Sequence, residues 1–382
     1  MNVVVIGGGI AGVAAAWAAA TAGASVHLFR DRPGASALQC GALDSEPWHQ
    51  AHEREIDGHV VSFAAALGIW RLGSDFERVV TQNGVVRGAR GSDTALLDVT
   101  PLAGKSVAVL DVPTRRFDAR LLALAASESD WALDTNTHFV AVEVSDALTA
   151  AELDYGDWDL AHLFDDPARM DALAERLAQH RGEHAGWLLG PWLGTEAGAA
   201  ERLRERLGVP VGETTSEPGG AAGARFEAAR DRLLGELGVD VTRARVGKIT
   251  RSADGLVVSH GGTSLPADAV VLATGGIAVG GIRLDAARPE HPGGACFHPS
   301  VDAELFLELA GESVERVSTL HGVDFTAVGL AALENVGVAT SDGVAALGHD
   351  KLFVAGDAVA DRPRTALEAA RAGIVAGRRA AR

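Results

Sequence analysis

The stretch Val3-Val4-Val5-Ile6-Gly7-Gly8-Gly9-Ile10-Ala11-Gly12 constrains the fold more than any other part of the 382-residue chain. Four apolar, mostly β-branched residues read as a buried strand, and the alanine-rich run from Ile10 to Ala22 reads as a helix. Gly7, Gly9 and Gly12 stand at dinucleotide-fingerprint spacing: the first makes a tight turn, the second lets backbone approach a pyrophosphate, and the third lets helix pack on strand. A pyrophosphate would rest at the positive helix N-terminus, at Ile10 and Ala11. Gly23 ends the helix, and Ser25–Phe29 forms the second strand of a β-α-β unit. At its end an acid is expected to hold the adenosine ribose hydroxyls. Arg30 stands there instead, followed by Asp31. Either Asp31 acts one place late, or the adenosine half is held differently, or the nucleotide lacks adenosine.

Composition narrows the partners. The net charge of -17 argues against nucleic acid and against an anionic membrane surface. Cys40 and Cys296 are the only cysteines, so the chain has no disulfide framework and no cluster-ligand set; an iron–sulfur centre, if the chemistry needs one, must lie on another chain. This fits a reducing cytoplasm. The apolar N-terminus lacks a basic leader and suits a first strand better than a signal peptide, and no apolar run suits a membrane span. His49, His52 and His59 are irregularly spaced without matching carboxylates, so no metal site is expected.

Further along, residues 34–44 read as a loop with a short helical turn, 58–67 as a helix, and 78–90 as paired strands about Asn83-Gly84. From Lys105 to Leu207 the order strand, helix, strand, helix, strand, helix predicts a small parallel layer without a phosphate-binding fingerprint. Arg115 and Arg116 read as a solvated loop pair. Ser216–Gly223 reads as a junction or active-site loop before a helix over 225–237. Residues 247–265 predict a β-meander, and Ala269–Thr274 a buried strand ending in Gly275-Gly276. Residues 280–301 are loop-rich, 305–314 are expected to be helical, and Lys351–Val354 form a strand running into Gly356-Asp357. A final helix begins at Thr365, whose N-terminus offers N–H groups to an electronegative ring edge. Asp357 is placed to accept from a sugar or ribityl hydroxyl.

Together the turns at Gly7–Gly12, Ala273-Thr274-Gly275-Gly276 and Val354-Ala355-Gly356-Asp357 resemble the flavin-binding set of two-dinucleotide-binding oxidoreductases. The resemblance implies an α/β fold: a Rossmann-like FAD-binding domain of the glutathione-reductase/fumarate-reductase type with an inserted α/β domain. It also implies extended FAD, with FMN as the other flavin to consider. The FAD-binding domain would comprise 1–60, 216–290 and 335–382, the inserted substrate or docking domain 61–215, and a return segment 291–334. Cofactor contacts would come from Gly7, Gly9, Ile10, Ala11, Gly12, Arg30, Asp31, Ser36, Ala37, Thr274, Gly275, Gly356, Asp357 and Thr365.

A narrower likeness runs through "GGGIAG…FRDRPGASALQCGALD", "LAGKSVAVLDVPTRRFDARLLA", "AHLFDDPARMDALAERL", "GARFEAARDRLLGELG", "VVLATGGIAVGGI" and "VGVATSDG". In order and spacing these resemble the second of the component chains of anaerobic glycerol-3-phosphate dehydrogenase, a family that shares the arginine at the second strand's end. The family oxidises sn-glycerol 3-phosphate to dihydroxyacetone phosphate and passes electrons through a partner flavoprotein and an iron–sulfur membrane subunit to quinone. Residues 361–368 depart from its glycine-rich C-terminal segment. A small anionic substrate would need arginines, because their planar fork matches an oxyanion. Arg225, Arg283, Arg362 and Arg364 are the candidates, with His298 as base and Cys40 beside the flavin as a redox thiol or attachment point. The alternatives are a stand-alone FAD oxidoreductase acting on another small hydroxy or amino compound, and a non-catalytic flavin-binding component.

Overall fold

The computed structural model describes residues 1–45, 55–114, 116–253, 255–286, 295–317, 323–324, 333 and 335–382. The expectations for His49, His52 and Arg115 fall outside them. The chain forms two compact units, Met1–Ser36 with Ile56–Phe63 and Asp231–Arg382, and Ala37–Glu55 with Ala64–Arg230. The divide runs at 36/37, 55/56, 63/64 and 230/231.

The first unit is built on a five-stranded parallel sheet. Its order is Asp240–Arg243, Ser25–Arg30, Asn2–Ile6, Ala269–Leu272, Leu352–Val354. Val3 to Ile6 are all buried, as are Ala269 to Leu272, as the uninterrupted apolar runs of a strand covered on both faces require. Val3 pairs with Ala269 and Ile6 with Leu272 on one side, while Asn2 pairs with Ser25 and Ile6 with Phe29 on the other. The chain leaves the central strand toward Ser25–Arg30, whereas Ala269–Leu272 continues away toward Leu352–Val354. The topological switch point thus lies between Asn2–Ile6 and Ala269–Leu272, where open α/β sheets bind ligands at the carboxyl ends of strands.

One side of this sheet carries helix Ile10–Thr21 and the C-terminal helix Ala366–Ala380. Their contact is set by small residues: a Cβ at Gly373 would lie 2.2 Å from the Ala11 carbonyl oxygen, and one at Gly377 2.1 Å from that of Ala15. Backbone meets backbone there. The other side packs into an apolar core of Val4, Ile6, Val270, Leu272, Phe297, Leu305 and Leu307. The meander read from the sequence is present as antiparallel strands Val246–Ser252, Gly255–His260 and Thr263–Ala267.

Two expectations are corrected. Residues 305–314 form no helix but the antiparallel strands Leu305–Leu309 and Glu312–Val317. Leu305, Leu307 and Leu309 are buried while Phe306 and Glu308 are half-buried, a period of two, and Ala310-Gly311 turns the chain with both residues at positive φ. The loop-rich 280–301 segment contains strands Ile282–Asp285 and Cys296–Pro299, also antiparallel.

The second unit has a four-stranded parallel sheet in the order His138–Glu143, Ser106–Asp111, Gly186–Leu189, Val211–Glu213. A three-stranded antiparallel sheet accompanies it, pairing Trp70–Val80 with Val86–Asp93 through the turn at Gly84, whose φ is 78°. Arg225, expected on a substrate anion, is enclosed here at 1% exposure. Its Nε donates to Asp93 at 2.8 Å, Nη1 to the Gly194 carbonyl at 2.7 Å, and Nη2 to Glu213. Burial opposes the guanidinium charge, but Asp93 and Glu213 outweigh it and hold the Arg225 pKa above its ordinary value. With every nitrogen engaged, the side chain ties helix Ala221–Glu236 to two strands of its unit.

The Gly377 contact allows a direct test. Gly377→Val is expected to destabilise the protein by about 1–3 kcal/mol, the usual cost of overpacking. The readout is a lower urea midpoint with an unchanged m-value.

Candidate cofactor site

Three glycine turns converge on the carboxyl edge of the first unit's sheet, each through a contact that a side chain would block. Gly7 has φ of +124°, and a Cβ there would sit 2.0 Å from the Ala273 carbonyl oxygen, so the first and second turns touch through backbone. Gly12 presses on the Gly7 carbonyl, where a Cβ would come within 1.9 Å. Gly356, with φ of +67°, lies against Ala11, and Gly276 lies against the backbone of Asp357. Strand end, helix start and the two later turns therefore form one cradle.

Polar groups finish it. Ser36 Oγ accepts from the Ile10 N–H at 2.9 Å, satisfying one of the helix's first donors and pinning the following loop across the turn. Ala37 is the first residue of the second unit, where its carbonyl lies against Gly223. Thr365 caps the C-terminal helix by accepting from the Glu368 N–H at 3.4 Å. Thr274 and Gly275 form the second turn, Gly275 at φ of +78°.

Among the described residues, Asp357 is the one carboxylate on the three glycine turns. It is half-buried and its side chain has no hydrogen-bond partner among the described residues. Burial pushes its pKa up, against the opposing pull of the Arg364 guanidinium. Arg364 serves this turn rather than a substrate: it donates to the Asp357 carbonyl and to the Val336 carbonyl, both at 2.7 Å.

The end of the second strand is cationic. The Arg30 side chain lies over Gly8, its Nη2 is 3.1 Å from Asp231, and its buried Nε has no acceptor. Asp31 is exposed. Arg32, which no sequence motif singles out, donates to the Val279 carbonyl at 2.8 Å and so ties the second strand's end to the second turn. A donor left without an acceptor at this position, together with an acid left without a donor at Asp357, fits a ligand that is anionic in its middle and hydroxylated along its length.

Cys40 belongs to the second unit, with Arg87 Nη2 at 3.7 Å from its sulfur. His298 is buried on strand Cys296–Pro299, where Nε2 lies 2.9 Å from Asp285 Oδ2 and Nδ1 3.2 Å from the Pro299 carbonyl. The first is an ion-pair contact at an angle outside hydrogen-bond geometry. Both ring nitrogens nevertheless face acceptors of the ribbon itself, which suits a structural or positioning role better than a base. Arg283 stands directly opposite His298. His59 meets Arg378 at 3.2 Å, and no metal-ligand group occurs among the described residues.

Two family models match segments of the cradle. The glucose inhibited division protein A model covers residues 2–61, and an FAD-NAD(P)-binding model covers 223–277. Both matches end at a glycine turn or run through one. The chain has an FAD-binding Rossmann-type fold. No curated protein sequence matches the chain. Among solved structures it is similar to CtdE in complex with FAD, at 11% identity over 99% of this chain and 82% of the other, with a TM-score of 0.35. It is also similar to iminodiacetate oxidase from Chelativorans sp. BNC1, at 14% identity over 98% and 93%, TM-score 0.31. A third is 3-ketosteroid delta1-dehydrogenase from Sterolibacterium denitrificans, at 17% over 72% and 47%, TM-score 0.29.

An acid whose pKa is raised by folding is most compatible with the fold when protonated: that stability is full below the ordinary carboxylate range and lost as pH rises through the raised value. Asp357→Asn is therefore expected to leave the apo-protein at pH 7 as stable as the wild type or more so, the difference shrinking toward pH 4. The same variant should bind FAD at least about tenfold more weakly, the value of one charge-assisted hydrogen bond. Thermal denaturation across pH and FAD fluorescence titration check the two halves.

Proposed function

We propose that the chain is the flavin-dependent component of a complex that oxidises sn-glycerol 3-phosphate to dihydroxyacetone phosphate and delivers the electrons to quinone. The flavin part is carried by one observation, the desolvated and unpartnered Asp357 carboxylate set among three glycine turns at the sheet's switch point. The substrate part is supported by the ordered sequence resemblance to the second component chain of anaerobic glycerol-3-phosphate dehydrogenase.

Bound in the cradle, the flavin supplies an acceptor for the hydride of a carbinol carbon. The chain's own groups do the rest. Gly7 and Gly9 would admit the pyrophosphate to the helix N-terminus, and Asp357 would accept from a ribityl hydroxyl. The start of helix Ala366–Ala380 presents positive potential to a polar ring edge. An arginine must hold the substrate phosphate, and a base must take the hydroxyl proton.

Division of labour among component chains agrees with the composition. Two cysteines are too few to ligate an iron–sulfur cluster, so electrons leaving this flavin would pass to a partner flavoprotein and an iron–sulfur subunit. Among the described residues no helix is long and apolar enough to cross a membrane, and the net charge of -17 disfavours direct contact with anionic lipid. Attachment to the inner face of the cell membrane would come through those partners.

Anaerobic absorbance spectroscopy tests the reading. The purified protein is expected to show flavin bands that bleach on addition of sn-glycerol 3-phosphate in the presence of its partner chains. Bleaching without partners would identify an autonomous oxidoreductase. A bound flavin that glycerol 3-phosphate leaves oxidised, even with the partners present, would remove the substrate assignment.

A further inference from the structure

We propose that Arg283 is the receptor for the anionic group of the substrate, kept available by a His298–Asp285 pair that withholds its natural counter-ion. The inference deepens the functional reading above and rests on it only for the identity of the anion.

Strands Ile282–Asp285 and Cys296–Pro299 pair so that Arg283 stands opposite His298 and Asp285 opposite Cys296. Directly opposed residues share a face, and successive residues alternate. Ile282 and Phe297 accordingly enter the apolar core, while Arg283, Asp285, Cys296 and His298 lie together on the other face. The ribbon is rooted in the cofactor cradle. Gly281 packs against the carbonyl oxygens of Thr274 and Gly275, its N–H donates to the Gly276 carbonyl at 2.9 Å, and Arg283 follows two residues later, about 7 Å along the strand.

On this face Asp285 is the acid nearest in sequence to Arg283, two positions along the same strand. It is turned to His298 instead, with Oδ2 2.9 Å from Nε2, and its side chain keeps 38% exposure. Arg283 is left half-buried with no hydrogen bond or ion pair among the described residues. A partly desolvated guanidinium without an acceptor is unfavourable in the empty protein and favourable once a phosphate or carboxylate fills its fork. His298 is then a positioning residue. It acts through Asp285, not on the substrate.

The test uses the flavin-loaded protein and isothermal titration with sn-glycerol 3-phosphate, inorganic phosphate and glycerol as probes. The wild type should bind the two phosphate-bearing probes and not glycerol. Arg283→Gln should weaken that binding at least tenfold with flavin content and thermal midpoint unchanged, and Arg283→Lys should recover part of it. His298→Gln should also weaken it, because Asp285 is released toward Arg283, and adding Asp285→Asn to His298→Gln should restore it, a rescue that simple damage to the ribbon would not give. Wild-type affinity in Arg283→Gln, loss of flavin from that variant, or no anion binding by the wild type would each overturn the proposal. Arg283-dependent binding of inorganic phosphate without binding of glycerol 3-phosphate would uphold the anion site while removing glycerol 3-phosphate as its ligand.

Discussion

The contact between Gly7 and the Ala273 carbonyl is the constraint on which the site depends. At φ of +124° and with no room for a Cβ, this residue lets the first strand's turn lie directly on the end of its neighbour in the sheet. Gly12 continues the stack by resting on the Gly7 carbonyl, and Gly356 closes it from the far side against Ala11. A side chain at any of these positions would push apart elements whose N–H groups must converge. The cradle is thus a property of backbone proximity, and its polar side chains are additions to it.

Those additions are arranged in opposite electrostatic senses at the two ends. The second strand ends in Arg30 with an unsatisfied Nε, while the last strand runs into Asp357, whose half-buried carboxylate has no hydrogen-bond partner among the described residues. Between them lies the N-terminus of helix Ile10–Thr21, where one donor is already taken by Ser36. Cation, helix dipole and acid in that order match phosphate, then hydroxylated chain. The absence of an acid at position 30 removes the usual ribose acceptor, so affinity for the adenosine half must come from elsewhere than a ribose carboxylate.

Much of this is legible in the sequence because the chemistry is local. A glycine needed for positive φ or close approach marks itself, and the three turns, the buried parallel strands and the Thr365 cap all follow from neighbouring residues. What is not legible depends on distant partners. Arg225 looks like an anion ligand in a helix, yet its partner Asp93 lies 132 residues away and only the folded unit buries both. Arg364 spends its guanidinium on carbonyls at Asp357 and Val336. The Leu305–Leu309 strand reads as helix because five alternating residues before a two-residue turn are too short to separate the two periods. Asp285 is hidden for a related reason: its role beside Arg283 and His298 emerges only once 280–301 is known to contain a strand pair, although the Arg-x-Asp spacing carries the signal.

The identity of the nucleotide is the most direct test of the account. Protein purified from riboflavin-replete cells, or reconstituted with FAD and freed of excess, would be denatured and the released nucleotide identified by chromatography and mass. The account requires FAD in a ratio approaching one per chain. Release of FMN or a nicotinamide nucleotide in that ratio, or no nucleotide after attempted reconstitution, would contradict it.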